Sequence, residues 1–270
     1  MASLKQRLKS IFVKTNSLPI LDKLNYAYAA LKHFASNKKF KKQYPSFIFP
    51  PDYYLYETYR LDYKQYKEDG ELTAKEILEW TAKYLQGELK ILEWGCGVAR
   101  IVRHIPLLSN YKATVFGTDI NKEMIEWDES NISNVGFSTI DYVPPTHFAD
   151  EQFNLIFALS VFTHIEIGVQ VSWIKEIHRM ISDEGIFLFT THGKNFEINL
   201  SEPEKKLLEV QGGLTVDYNK KGHRMMSSYN KPDNFRNLLN PYFEILEYFD
   251  GAGNPDKVGG QDLWIVKKIN

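Results

Sequence analysis

Three acidic residues follow hydrophobic runs of the sequence, and two glycines stand beside the first of them. Glu93 lies near the end of the first run and is followed by Gly95 and Gly97, while Asp119 and Asp141 end the next two runs. Glycine lets a chain turn sharply and lets a ligand approach the backbone closely. A carboxylate about 20 residues beyond such a turn can accept hydrogen bonds from both ribose hydroxyls. Asp141 could accept one from an adenine amine. The pattern therefore predicts a nucleoside-bearing ligand.

Two histidines follow later hydrophobic runs and are candidates for proton transfer. His164 comes after the run 153–159, and His192 directly follows the run 186–191. Histidine titrates near neutral pH, which suits a general base acting on an alcohol. A structural role is the alternative for each, above all for His164, which stands where a helix begins. The scattered histidines lack the spacing of metal ligands, so no metal is expected.

The elements that would position these residues alternate between strand and helix. Five buried strands are predicted, with helices between several of them, at 91–94, 113–117, 136–140, 153–159 and 186–191. Such strands are typical of a parallel sheet covered on both faces, whose ligands bind beyond the carboxyl ends of the strands. Alternating segments at 243–249 and 263–266 predict an antiparallel edge hairpin. The expected fold is α/β, a Rossmann-like sheet of seven mostly parallel strands.

The charge distribution divides the chain into a basic arm and an acidic body. Residues 1–42 hold ten Lys and Arg and one acid, a net charge of +9, whereas the remainder carries −10. We expect residues 1–70 to form a helical arm and tyrosine-rich cap, and residues 71–270 to form the main domain with an insertion at 193–230. The arm would pack on the body or a partner subunit, or lie on an anionic membrane. Nucleic-acid binding is not expected, because no zinc motif or aromatic and basic platform is present.

The single cysteine and the hydropathy of the sequence indicate in which cellular compartment the protein is expected. Cys96 is the single cysteine, so an internal disulfide is excluded, which suits a reducing compartment. No apolar run approaches the roughly 18 residues of a membrane span, and the N-terminal residues lack the apolar core of a secretory signal. A cytoplasmic protein is expected, and peripheral membrane contact through the arm stays open.

The glycine spacing separates two nucleoside-binding families. A dinucleotide site needs a third glycine three residues after Gly97, where Arg100 stands. The sequence instead resembles the class I S-adenosylmethionine-dependent methyltransferases, through segments 91–99, 115–121, 148–165 and 173–193. The resemblance implies this cofactor and a set of residues along it from the methionine end to the adenine and the methyl-donor side: Glu93, Gly95, Gly97, Asp119, Ile120, Asp141, Tyr142, Leu159 and Ser160.

A narrower resemblance extends past residue 196. It covers short segments that include residues 160–164, Thr191-His192-Gly193 and Gly260-Gln261-Asp262, and it is to methyltransferases found beside glycosyltransferases in polysaccharide gene clusters. It implies O-methylation of a sugar or small glycoconjugate. N-methylation of an amino sugar or other amine, and a non-catalytic cofactor-binding module, are the alternatives. The catalytic candidates are His192 and His164. The substrate-binding candidates, with residues 1–70 and 193–230 as a cover, are Tyr59, His223, Gln261 and Asp262.

Overall fold

The computed structural model describes residues 18–110, 112–216 and 226–269. The chain divides into two compact units, residues 1–72 and residues 73–270. Residues 1–17 of the predicted arm and the substrate candidate His223 lie outside the described residues.

The first unit is helical and is held together by aromatic contacts. Its helices are α1 (Leu18–Gln43), α2 (Asp52–Thr58) and α3 (Tyr63–Thr81), the last of which runs on into residues of the second unit. The Tyr26 ring of α1 meets the rings of Tyr53 and Tyr56 edge-on, at 5.6 and 5.4 Å. The Tyr56 hydroxyl donates to Asp22 Oδ1 at 3.1 Å. These two tyrosines of the tyrosine-rich segment therefore tie α2 to α1.

Helix α3 begins earlier than one sequence pattern predicts. Thr73 and Glu76 have the spacing of a capping box, which predicts a helix over residues 72–86, but α3 already begins at Tyr63, so both lie inside the helix. The capping prediction is wrong because the helical pattern continues through Gly70 instead of stopping there.

The second unit contains a seven-stranded sheet. Its strands are β1 (Leu89–Trp94), β2 (Ala113–Asp119), β3 (Gly136–Thr139), β4 (Phe153–Ala158), β5 (Ile181–Thr191), β8 (Phe243–Phe249) and β9 (Asp262–Lys268). They lie in the order β3-β2-β1-β4-β5-β9-β8, and only β9 runs antiparallel to its neighbours, β5 and β8. The predicted Rossmann-like α/β fold with an antiparallel edge hairpin is confirmed.

Helices pack on the two faces of this sheet. Five helices follow β1 along the described chain: α4 (Ile105–Leu108), α5 (Lys122–Asn131), α6 (Ile167–Met180), α7 (Glu202–Gln211) and α8 (Pro232–Leu239). Two separate clusters of buried side chains fill the space between helices and strands. The central strand β4 contributes side chains to both clusters, because its successive side chains point to opposite faces of the sheet. Burial on both faces explains why β4 shows a continuous apolar run.

The insertion after β5 is more ordered than its polar sequence suggested. It begins with a 3₁₀ turn over Lys194–Asn199 and continues into α7, whose first turn is closed by a capping box between Ser201 and Glu204. Strands β6 (Gly213–Val216) and β7 (Ser227–Asn230) then form a two-stranded antiparallel sheet. The insertion therefore has a small core of its own.

Candidate functional site

The turn after β1 has a backbone shape that favours glycine. Gly95 and Gly97 have φ angles of +78° and +56°. The amides of Gly95 and Cys96 both donate to the Thr118 carbonyl of β2, at 2.7 and 2.8 Å. A Cβ atom on Gly95 would clash with Cγ2 of Val161. The turn is thus held by hydrogen bonds to β2 and packs closely against Val161, which follows β4. Only a residue without a side chain fits at Gly95.

Asp119 joins this turn to the end of β2. Its Oδ2 atom accepts from the Gly97 amide at 2.9 Å, and Oδ1 accepts from the Asn121 amide at 2.8 Å. Burial raises the pKa of Asp119, and hydrogen bonds from the backbone amides of Asn121, Gly97 and Ile120 oppose that effect. Two carboxylate oxygens have about four acceptor sites, so capacity for a further donor remains. The neighbouring Ile120 is 39 % exposed, so an anionic and an apolar group lie side by side at this edge.

Glu93 is buried beneath the turn, with 4 % of its surface exposed. Its Oε2 atom accepts from the Val102 amide at 2.8 Å. Burial raises its pKa to about 8, against the opposing effects of that hydrogen bond and of the positive charge of Arg100. A cation bound nearby would favour the charged carboxylate.

The segment after the glycines corrects one expectation. A glycine turn after a strand predicts a helix whose first amides are free to bind a ligand, but a 3₁₀ turn (Val102–His104) and the four-residue helix α4 follow instead. Ala99, with a φ angle of +52°, interrupts regular helix. The Val102 amide is already bonded to Glu93, so the carboxylate takes the place that a ligand was expected to occupy.

Asp141 and Tyr142 follow β3, where the sequence placed the adenine contacts. Asp141 is exposed to solvent. The Tyr142 carbonyl accepts from the indole nitrogen of Trp173 at 3.0 Å, and its hydroxyl accepts from the Glu166 amide at 3.0 Å. Tyr142 is therefore fixed by hydrogen bonds to the residue before α6 and to a residue within that helix.

Ser160 and Gln261 were predicted for different roles, and the structure brings them together. The Gln261 Nε2 atom donates to Ser160 Oγ at 2.8 Å, and the same hydroxyl lies 3.2 Å from Oε1 of Gln261. Ser160 has a φ angle of +64°, and its amide donates to Thr190 Oγ1 at 2.8 Å. Sequence reasoning missed Thr190, since a threonine at the end of an apolar strand gives no signal of this contact. The adjacent Leu159 packs against the core.

The imidazole of His164 is oriented by the insertion. Its Nδ1 atom lies 2.7 Å from the Met226 carbonyl oxygen. A carbonyl can only accept, so Nδ1 carries the proton and Nε2 is the basic nitrogen of the neutral ring. The Ser228 hydroxyl donates to the Ile165 carbonyl at 2.7 Å and ties the same two segments together. No side chain of the sequence could have revealed the Met226 contact, because it uses the main chain.

His192 lies deep in the protein, with 8 % of its surface exposed. Its ring stacks on Phe196 at 4.3 Å and meets Tyr229 at 5.3 Å. Burial lowers its pKa to about 3, and the nearby His164 adds to the effect. Its Nδ1 atom has no hydrogen-bond partner within the described residues. The ring is therefore neutral near pH 7.

The remaining described substrate candidates, Asp262 and Tyr59, form hydrogen bonds within the protein. Asp262 is 1 % exposed, and its carboxylate accepts from the Tyr248 hydroxyl at 2.9 Å and the Gly251 amide at 3.0 Å. Burial raises the pKa of Asp262. The Tyr59 hydroxyl donates to Asp69 at 2.7 Å within the first unit. Their roles in substrate binding stay predictions.

Comparison with known proteins places this geometry in a functional class. Residues 92–189 match a family model described as a methyltransferase domain. That segment holds Glu93, the glycine turn, Asp119, Ser160 and His164. Over this segment the chain is similar to methyltransferase domains. The predicted S-adenosylmethionine-dependent methyltransferase activity and cofactor are confirmed.

Solved structures share the fold of the enzyme. A methyltransferase from Methanosarcina mazei has a TM-score of 0.53 and 19 % identity, covering 70 % of this chain and 97 % of its own. A Pyrococcus horikoshii protein has a TM-score of 0.53 and 20 % identity, with coverages of 77 % and 96 %. A methyltransferase from Clostridium acetobutylicum has a TM-score of 0.52 and 14 % identity, with coverages of 76 % and 92 %. No curated protein matches the chain. At these identities the likeness is one of fold.

No group of three or more His, Cys, Asp or Glu in ranges 18–110, 112–216 and 226–269 is placed to hold a metal ion. In the same ranges, no helix combines the length and apolar character needed to cross a bilayer.

Proposed function

We propose that the enzyme transfers the methyl group of S-adenosylmethionine to a hydroxyl of a sugar or small glycoconjugate. The cofactor supplies a methyl group on a sulfonium, which a nucleophile can displace directly. In this reaction the acceptor oxygen forms the new bond to carbon as the carbon–sulfur bond breaks, and the sulfur keeps the electron pair. The hydroxyl proton must go to a base. The protein's task is therefore to align the acceptor and remove that proton.

The residues at the carboxyl edge fit this cofactor. Gly95 and Gly97 shape the turn to admit a ligand next to the backbone, and Asp119 retains acceptor capacity for ribose hydroxyls. Ile120 offers an apolar surface on which the adenine ring could pack. Glu93 lies behind the turn as a carboxylate whose ionisation a cationic amino group would stabilise. These features support the assignment of Glu93 to the methionine end and Asp119 to the ribose.

His164 is the base that we propose, and its bond to Met226 is the observation that carries the proposal. Because Nδ1 holds the proton, the neutral ring is in the tautomer whose basic nitrogen is Nε2. A base works best when its pKa lies near the operating pH. The pKa of His192, about 3, makes it a weak base. Its stacking between Phe196 and Tyr229 favours a role in shaping the site.

The Ser160–Gln261 pair supports a neutral, hydroxylated acceptor. An amide and a hydroxyl can each donate and accept, which matches the alternating donors and acceptors of a sugar. Gln261 follows Gly259 and Gly260, both with positive φ angles, so the loop before β9 presents it at the same edge as Ser160. We propose that Gln261 contacts the acceptor and holds Ser160 beside the methyl donor.

The test is methyl transfer by the full chain from methyl-labelled S-adenosylmethionine to a panel of sugars, nucleotide sugars, amino sugars and simple amines. Products are separated, and the methylated atom is assigned by NMR. The proposal expects label on the oxygen of a hydroxylated acceptor. Label on nitrogen would replace it with N-methylation. Tight cofactor binding without transfer to any acceptor would favour a non-catalytic module.

A further inference from the structure

One face of α1 exposes a row of large apolar side chains, here called the α1 stripe. Its members are spaced four, four, three and three residues apart and so share one side of the helix. Each is between 63 and 80 % exposed. The α1 stripe consists of Ile20, Leu24, Tyr28, Leu31 and Phe34. At a rise of about 1.5 Å per residue it extends for about 21 Å.

The opposite face of α1 is the one that packs within the first unit. Asn37 is buried there, with its amide donating to the Leu61 carbonyl at 3.3 Å and accepting from the Tyr63 amide at 3.0 Å. Phe40 is also buried and meets Phe49. The helix is thus apolar on two opposite sides, one covered and one exposed. Packing of the unit accounts for only the first of them.

Lysines border the α1 stripe on both sides. At 100° per residue, Lys23 and Lys41 fall along one border, and Lys32 and Lys39 fall along the other. The ammonium of Lys38 lies 5.9 Å from the centre of the Phe34 ring. Lysine side chains can lay their methylene stems along an apolar surface and keep the charge at its rim.

We infer that the α1 stripe docks on the surface of an anionic phospholipid bilayer, with α1 lying in the plane of the interface. An apolar face that enters the acyl boundary, flanked by cations at the height of the headgroups, is the pattern of such helices. Since no described helix can span a bilayer, the contact is interfacial.

Charge argues against a second copy of the chain as the occupant. Two α1 stripes packed together would bring two sets of bordering lysines into contact, which like-charge repulsion disfavours. The single acid of α1, Asp22, accepts a hydrogen bond from Tyr56 on the packed side.

The experiment is co-sedimentation of the full chain with vesicles of phosphatidylcholine alone or mixed with phosphatidylglycerol. The test variant is Leu24→Gln/Leu31→Gln, in which glutamine keeps a similar helix propensity. The matched control is Leu207→Gln/Val210→Gln, which makes the same change at two exposed apolar positions of α7. Circular dichroism verifies that each variant is folded.

The wild type and the α7 control are expected to pellet with the anionic vesicles. The Leu24→Gln/Leu31→Gln variant should partition at least about tenfold less, because two leucines no longer enter the bilayer. Replacing Lys23, Lys32, Lys39 and Lys41 by Gln, or adding salt to about 1 M, should reduce binding toward the neutral-vesicle level.

Two results would overturn the inference. Equal pelleting of the wild type and the stripe variant would show that the α1 stripe does not contact lipid. A wild type that fails to pellet, but forms a dimer in analytical ultracentrifugation that the stripe variant does not form, would assign the surface to a second copy.

Discussion

His164 and Met226 are joined by a 2.7 Å contact between the imidazole Nδ1 atom and a main-chain oxygen. The contact links the segment after β4 to the insertion, at the carboxyl edge where the glycine turn and Asp119 also lie. The insertion thus fixes the tautomer of the candidate base without supplying a side chain. Removing the base while keeping this contact is the cleanest way to separate chemistry from structure.

The variant His164→Asn is designed for that purpose. Its amide can still donate to the Met226 carbonyl, but it offers no basic nitrogen. Turnover should fall by about 10²- to 10⁴-fold, the usual contribution of a general base, with the dissociation constant for S-adenosylmethionine unchanged. Initial rates and calorimetry measure the two effects, and His147→Asn, at an exposed histidine, is the control. Full activity in His164→Asn would remove His164 from proton transfer.

His192 should remain neutral throughout the physiological range. Burial places its pKa at about 3, so protonation is expected only in strongly acidic solution. Imidazole nitrogen shifts of the labelled protein, followed by NMR between about pH 5 and 8, should show no titration of His192. Assignment comes from the spectrum of His192→Gln. A titration midpoint near neutral pH would restore His192 as a candidate base.

Gly95 should be replaceable only at a cost that depends on Val161. Alanine at a φ angle of +78° is strained by about 1–2 kcal/mol, and its Cβ would also clash with Cγ2 of Val161. The substitution Gly95→Ala should therefore lower the free energy of unfolding more in the wild type than in Val161→Ala, which removes that methyl. Urea denaturation of the four proteins gives the coupling. Identical losses in both backgrounds would show that the two residues are not in contact.

Asp128 should make stability decrease as pH rises. It is fully buried, neither carboxylate oxygen has a hydrogen-bond partner among the described residues, and burial raises its pKa to about 9. The unfolded value is about 3.9, so between these values the folded state binds the extra proton. Its stabilising effect is complete below about pH 4 and is lost, by at most about 1.4 kcal/mol per pH unit, up to about pH 9.

The variant Asp128→Asn should reduce that slope. Its free energy of unfolding, measured in urea across the same pH range, should fall less steeply than that of the wild type. Glu129→Gln, at an exposed carboxylate of the same helix, should keep the wild-type slope. If Asp128→Asn keeps it too, Asp128 is ionised in the folded state.

Periodicity and glycine spacing were enough to predict the sheet and to place the glycine turn and Asp119 at one edge of it. β4 could be placed because a strand buried on both faces must be continuously apolar, and Asp119 because it ends the strand that follows the glycine turn. The contacts between distant segments could not be predicted. Thr190 to Ser160, Ser160 to Gln261 and His164 to Met226 join residues 30 to 101 positions apart, and main-chain acceptors leave no mark on residue type.

The pKa of His192 shows a second limit. Its residue type and its place after β5 marked it as a base, but burial between Phe196 and Tyr229 is set by the fold of the insertion. The sequence of that insertion is mostly polar. Its structure depends on a helix cap and on two short strands that pair across a loop. The position of a candidate residue could therefore be predicted where it depends on a strand end, but the surroundings of its side chain could not be predicted where they depend on the insertion.

Calorimetric titration of the folded, cofactor-free chain with S-adenosylmethionine tests the central claim most directly. We expect saturable binding to one site. Asp119→Asn should weaken it at least about 100-fold, because charge-assisted hydrogen bonds to the ribose are lost and an amide NH₂ would face a backbone N–H of Gly97 or Asn121. Asp256→Asn, at an exposed carboxylate, should bind as the wild type does. No binding by the wild type, or unchanged binding by Asp119→Asn, would contradict the account.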